Sequence, residues 1–120
     1  MRKPSLRQAR VGDLLRESLA DLLLRKVKDP RVEEVTITGV EVSSDLKHAH
    51  VFFCVRDDEV KDAALQGLKS AEGFFRYELK SMLTIKTIPS LTFTYDTSFD
   101  YGSHIDEILD KIKAEDEGTH

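Results

Sequence analysis

Between Ser5 and Val27 the apolar residues Val11, Leu14, Leu15, Leu19, Leu22, Leu23 and Val27 recur at steps of three and four, the spacing that gathers them on one side of a helix. Ser5 is a candidate cap for that helix, and Asp29-Pro30 should end it, because the residue before a proline avoids the helical region. The period then changes. In "VEEVTITGVEV", Val35 and Ile37 alternate, then Val40 and Val42 alternate in the opposite phase, which predicts a strand with a bulge at Gly39. A turn at Ser44-Asp45-Leu46-Lys47 and a second strand from His48 to Val55 complete an antiparallel hairpin.

Helical spacing returns through Val60, Ala63, Ala64 and Leu68, preceded by Asp57, Asp58 and Glu59, acids suited to a helix start. It is interrupted by Ala71-Glu72-Gly73 and resumes through Phe75, Leu79, Met82 and Leu83, as two helices or one sharply kinked helix. Ile88-Pro89-Ser90 breaks the pattern, and "LTFTYD" alternates Leu91, Phe93 and Tyr95 with polar residues, a half-buried third strand. Ile105, Ile108, Leu109 and Ile112 predict a last amphipathic helix, and residues 114–120 a short, acidic, disordered tail. A hairpin, a helical crossover and a returning strand predict an α+β domain over residues 1–113, a three-stranded sheet with helices packed on one face. Its core should bring together Leu15, Leu19, Leu22, Ile37, Val51, Phe53, Phe75, Leu79 and Phe93.

A chain of 120 residues, 40% hydrophobic and 33% charged, supports one domain. No run approaches the ~20 apolar residues of a membrane span, and the segment after Met1 lacks the apolar stretch of a secretory signal, so a cytoplasmic protein with no membrane partner is expected. Cys54 is the single cysteine, which excludes an internal disulfide or a cysteine zinc cluster, and its apolar neighbours make it a core thiol. The net charge of -4 hides a gradient: residues 1–30 carry +4, residues 31–94 carry -2 and residues 95–120 carry -6. A basic head on an acidic chain points to an anionic partner.

The chain has no nucleophile elbow, phosphate-binding lysine loop, dinucleotide glycine fingerprint or zinc-helix motif, so no enzyme activity and no cofactor are expected. Asp57, Asp58 and Glu59 are explained by the helix dipole. His48 and His50 share one face of a strand, but a third metal ligand is lacking nearby and a solvated face accounts for them.

The Ala71-Glu72-Gly73 step calls for a reason, because an interior glycine costs a helix roughly 1 kcal/mol. Either two helices cross closely there, or the backbone is kept bare for a partner. KH modules place a Gly-rich turn between two helices so that a sugar-phosphate strand can approach. The two-glycine GxxG clamp is absent, and Ser70-Ala71-Glu72-Gly73 stands in its place, flanked by Lys69 and Arg76.

"RVGDLLRESLADLLLRKVKDPRV", "VTITGVEVSSDLKHAHVF", "AEGFFRYEL" and "IPSLTFTYDTSFDYGSHI", in this order and spacing, make the chain resemble the ribosome-binding factor A family from about Leu6 to Ile112. The resemblance implies a type II KH-like domain in which an Ala-x-Gly kink, here Ala71 and Gly73, replaces GxxG. It implies a non-catalytic assembly factor that binds the small ribosomal subunit and its ribosomal RNA during late maturation, with roles in RNA processing and cold adaptation. His50 stands where members often carry a basic residue, and the acidic tail is shorter than in some relatives. With an RNA strand lying against the start of the third helix, Lys69, Arg76 and Lys80 would supply charge around the kink. Further candidates for phosphate contacts are Arg7, Arg10, Arg25 and Lys26 on the first helix and at its end, together with Lys28, Arg31, Lys47 and Lys86. With no tryptophan and the phenylalanines read as core, base stacking should be minor. The alternative is a module of the same fold that contacts ribosomal proteins. A monomer is expected in either case.

Overall fold

The structure, a computed structural model, describes residues 4–98. Helix α1, Leu6–Arg25, opens with a capping box in which the Ser5 hydroxyl accepts from the Gln8 amide and the Gln8 side chain accepts from the Ser5 amide. A short turn of 3-10 helix at Pro30–Val32 follows, capped by the Asp29 carboxylate on the Arg31 amide. Strands β1, Thr36–Val42, and β2, His48–Cys54, pair antiparallel, and β3, Ser90–Tyr95, pairs parallel to β2, giving the sheet order β1-β2-β3. Helices α2, Lys61–Ser70, and α3, Glu72–Met82, form the crossover from β2 to β3.

The phase change in β1 is a bulge: Ile37 lies opposite Phe53 and Gly39 opposite Phe52, leaving Thr38 as the extra residue. The bulge returns Val40 and Val42 to the face carrying Ile37, where they pair with Val51 and Ala49. On that face all nine residues expected in the core are buried, with Leu15, Val51, Phe53, Phe75 and Leu79 at 0% exposure. The opposite face of the sheet presents His48, His50 and Glu41 to solvent.

Two glycines in helices are set by close approach. A Cβ on Gly12 would lie 2.6 Å from the Val40 carbonyl oxygen, so α1 and β1 touch backbone to backbone there. A Cβ on Gly67 would lie 2.8 Å from Val32 Cγ1 and 3.2 Å from Arg31 Cβ, so α2 packs directly on the 3-10 turn. Cys54 is buried, as expected of a core thiol, and burial with Asp96 nearby pushes its thiol up to about 11. No described helix is long and apolar enough to cross a membrane. The expected fourth helix and the acidic tail lie outside the described residues.

Candidate nucleic-acid interface

The segment that links α3 to β3, residues 83–89, is held by its buried end, Ile88 and Pro89, and by Arg76, whose Nη2 donates to the Ile88 carbonyl at 3.3 Å. Two further ties bring distant residues to it. The Ser90 amide donates to the Lys47 carbonyl at 2.9 Å, fixing the β1–β2 loop beside the start of β3. Gln8 Nε2 donates to the Val42 carbonyl at 2.9 Å, fixing the first turn of α1 beside the same loop. As a result Arg7, Lys47 and Lys86, from three separate segments, line one pocket of about 390 Å³ with Leu46, Ile85 and Pro89.

The loop under this pocket is strained. Leu46 has φ of 60°, a left-handed conformation that costs a branched non-glycine residue about 1–2 kcal/mol. It is kept there by its amide donating to the Ser43 carbonyl at 2.9 Å and by Asp45. The Asp45 carboxylate accepts from the Ser43 hydroxyl at 2.6 Å and from the Lys47 amide at 3.0 Å, bonds that hold its pKa below the usual carboxylate range. Asp45 thus stays ionised, and with one acid against Arg7, Lys47 and Lys86 the pocket remains net basic.

On the other side of residues 85–87, Arg76, Tyr77 and Lys80 of α3 line a second groove of about 500 Å³, and Lys86 borders both. Five of the basic candidates thus form one continuous tract: Arg7, Lys47, Lys86, Arg76 and Lys80. Tyr77 is 75% exposed within it.

A third groove, of about 490 Å³, joins the exit of α1 to the kink, with Lys26, Lys28, Pro30, Ala71 and Phe74 among its lining residues. Ala71, at φ -89° and ψ 0°, ends α2 and begins α3 in a single residue, and no side chain caps the α3 amides. Lys26 pairs with Glu78 of α3 at 3.1 Å. Gly73 is exposed, has no positive φ, and a Cβ on it would meet nothing within 4 Å. Helix crossing therefore gives no reason for a glycine at 73, whereas Ala71 does pack against the core.

Glu72, between them, turns away from the kink surface: its Oε2 accepts from the Leu91 amide of edge strand β3 at 2.9 Å. That carboxylate bridges α3 to the strand across a groove of about 310 Å³ that Lys69 also lines. Lys69 thus stands beside an acid rather than in the basic tract.

The remaining candidates lie apart. Arg25 pairs with Asp21 one helical turn away at 2.6 Å. Arg31 clamps Asp29, with Nη2 to Oδ2 at 2.6 Å and Nε within 3.1 Å of both oxygens, which holds Asp29 below the usual carboxylate range and raises Arg31. Arg10 is exposed on α1, outside the three basic grooves. His48 and His50 bond the hydroxyls of Ser90 and Thr94 on β3, and among the described residues no group of three or more His, Cys, Asp or Glu side chains is placed to hold a metal ion.

Reading every phenylalanine as core was wrong for Phe74, which is 38% exposed, and stacking surfaces are correspondingly less scarce. The signal was present in "FFRYEL". Once Phe75 and Leu79 define the buried stripe of α3, Tyr77 falls on the opposite side of the helix and Phe74 well off the stripe.

The family model for ribosome-binding factor A matches residues 7–109. Ribosome-binding factor A of Syntrophobacter fumaroxidans is 49% identical over 109 residues, covering 88% of this chain and 93% of that protein. The crystal structure of ribosome-binding factor A from Thermus thermophilus superposes with a TM-score of 0.68 at 24% identity, over 78% of this chain and 99% of that one, a likeness of fold. A homology model of Thermus thermophilus ribosome-binding factor A, as fitted into a cryo-electron-microscopy map of its 30S complex, superposes with a TM-score of 0.63 at 25% identity, over 73% of this chain and 94% of that one.

Proposed function

The chain belongs to the ribosome-binding factor A family, and from that membership and the KH-like fold we propose that it binds the small ribosomal subunit through ribosomal RNA, as a non-catalytic factor in late subunit maturation. RNA processing and cold adaptation are the processes that the family resemblance attaches to this role. The observation that carries the RNA reading is the convergence of Arg7, Lys47, Lys86, Arg76 and Lys80 around residues 83–89. Five cations with little competing acid suit a phosphate backbone better than a protein surface of mixed charge. Lys28, beside Ala71 at the kink, extends the same chemistry to the start of α3, whereas Lys26 in the same groove is paired with Glu78. Arg25, Arg31 and Lys69 are secondary, each being paired with or beside a carboxylate.

The test is the salt dependence of binding to purified small subunits. Lys47→Ala, Lys80→Ala and Lys86→Ala each should lower the slope of log K against log salt by about 1 and leave the fold intact, because those side chains are exposed. Arg76→Ala is a poorer probe, since it also removes the bond to the Ile88 carbonyl. A triple lysine variant that binds with the parent's affinity and slope would refute this surface.

A second reading, contact with ribosomal proteins, is favoured by one observation. Leu24, 83% exposed, lies with Leu23, Val27 and Val35 in a groove beside edge strand β1.

A further inference from the structure

We propose that the pocket beneath Arg7, Lys47 and Lys86 receives a single unpaired nucleotide of the RNA, its base against the apolar lining and its phosphate under the three cations. This rests on the RNA-binding reading and goes beyond it, because a tract that only follows a duplex backbone has no use for a recess. The pocket, at about 390 Å³, falls in the roughly 300–1,000 Å³ range of small-molecule sites. Its chemistry divides as a nucleotide does. Val11, Leu46, Ile85 and Pro89 provide apolar lining, while Thr84 and Thr87 provide the few hydrogen-bonding groups that a base edge needs.

The backbone at Leu46 is a second, independent observation. A left-handed leucine is costly, and such conformations persist where surrounding structure over-determines them, often at ligand sites. A glycine or asparagine at 46 would relieve the turn, but neither would supply an apolar surface there. The three cations come from α1, the hairpin loop and the 83–89 segment and line the same pocket, so the phosphate of a nucleotide seated there would lie in their combined field.

The probes are two otherwise identical RNA duplexes, one flush and one carrying a single bulged 2-aminopurine, whose fluorescence reports the surroundings of the unpaired base. The full chain should bind the bulged duplex about tenfold more tightly than the flush one, with a change in fluorescence on binding. Thr84→Trp fills the pocket from an exposed position, and it should abolish the preference, so that bulged and flush duplexes are bound alike. Leu46→Asn, which keeps a residue tolerant of the left-handed turn, should reduce the preference even where it lowers stability.

Equal binding of the two duplexes, or a folded Thr84→Trp protein that retains the preference, would overturn the nucleotide pocket and leave the RNA surface standing. Failure to bind either duplex would remove both. Saturable binding of free adenosine monophosphate, with the two duplexes bound alike, would assign the pocket to a free nucleotide and overturn the RNA source.

Discussion

Gly67 and Gly73 lie six residues apart on either side of the kink, and they are glycines for opposite reasons. At Gly67 the inside of the molecule demands it, since α2 presses on Val32 and Arg31 and a methyl group has nowhere to go. At Gly73 the inside demands nothing: φ is not positive, and beyond its chain neighbours and its own helix backbone no atom lies within 4 Å of where a side chain would begin. A helix carries a glycine at some cost in stability, and at 73 no described contact repays it. The contrast separates a glycine that serves the fold from one that no packing within the described residues explains. Gly12 belongs with Gly67, in a more severe form.

The largest effect should come from Gly12→Ala. The blocking atom is the Val40 carbonyl oxygen, part of a paired strand that cannot rotate aside, so α1 or β1 must shift. Overpacking costs about 1–3 kcal/mol, and better helix propensity recovers at most ~1. A net loss of roughly 2 kcal/mol should appear as a fall in thermal midpoint of roughly 10 °C by calorimetry. An unchanged midpoint would break the close-approach account of both structural glycines.

Gly67→Ala should be milder, with a net loss of about 1 kcal/mol, because its first obstacle is a valine methyl, which yields more readily than a backbone oxygen. Urea unfolding would measure it, and a loss equal to that of Gly12→Ala would mean that the 3-10 turn is as rigid as the sheet.

These close approaches were not legible in the sequence, and the reason is physical. Periodicity reports which side of an element is apolar, so it placed Leu15, Phe53, Phe75 and Phe93 in the core and the bulge beside Gly39. It does not report which elements meet at which residue. Gly12 against Val40, Glu72 against Leu91, and the meeting of Arg7, Lys47 and Lys86 are pairings across the chain that only the packed sheet and helices create. The same limit spread thirteen site candidates over the molecule, where packing gathers five into one tract and pairs Arg25 and Arg31 with acids. The exposed Tyr77 was within reach, since the helical stripe of Phe75 and Leu79 already assigns it to the opposite side of α3.

Gly73→Ala should reverse the sign. With open space around it and an ordinary backbone, alanine should raise stability by roughly 0.5–1 kcal/mol through helix propensity and a less flexible unfolded chain. Small-subunit binding should fall at the same time if the bare backbone faces RNA. Gly73→Val, with no left-handed conformation to oppose it, should fold as well and bind more weakly still. A Gly73→Ala protein that is both more stable and fully active in subunit binding would show that the open glycine serves no contact.

Acid pH gives the smallest and most discriminating effect. Arg31, which crowds Gly67 from the 3-10 turn, is held by Asp29, and the pairing lowers the Asp29 pKa in the folded state. The stability linked to that shift is complete above the ordinary carboxylate pKa and is lost as pH falls through the lower folded value. Protonating Asp29 frees Arg31 to move away from α2, so the penalty of Gly67→Ala should shrink as pH falls through that window. The gain from Gly73→Ala should not change, because it comes from helix propensity and the unfolded chain rather than from a contact. Asp45 titrates in the same direction through its bonds to Ser43 and Lys47, and it loosens the hairpin loop in parent and variants alike. The informative quantity is therefore the difference between each variant and the parent at each pH, measured by urea unfolding. A Gly67→Ala penalty that stays constant into the acid range would show that Val32 alone makes the site tight, with Arg31 a bystander.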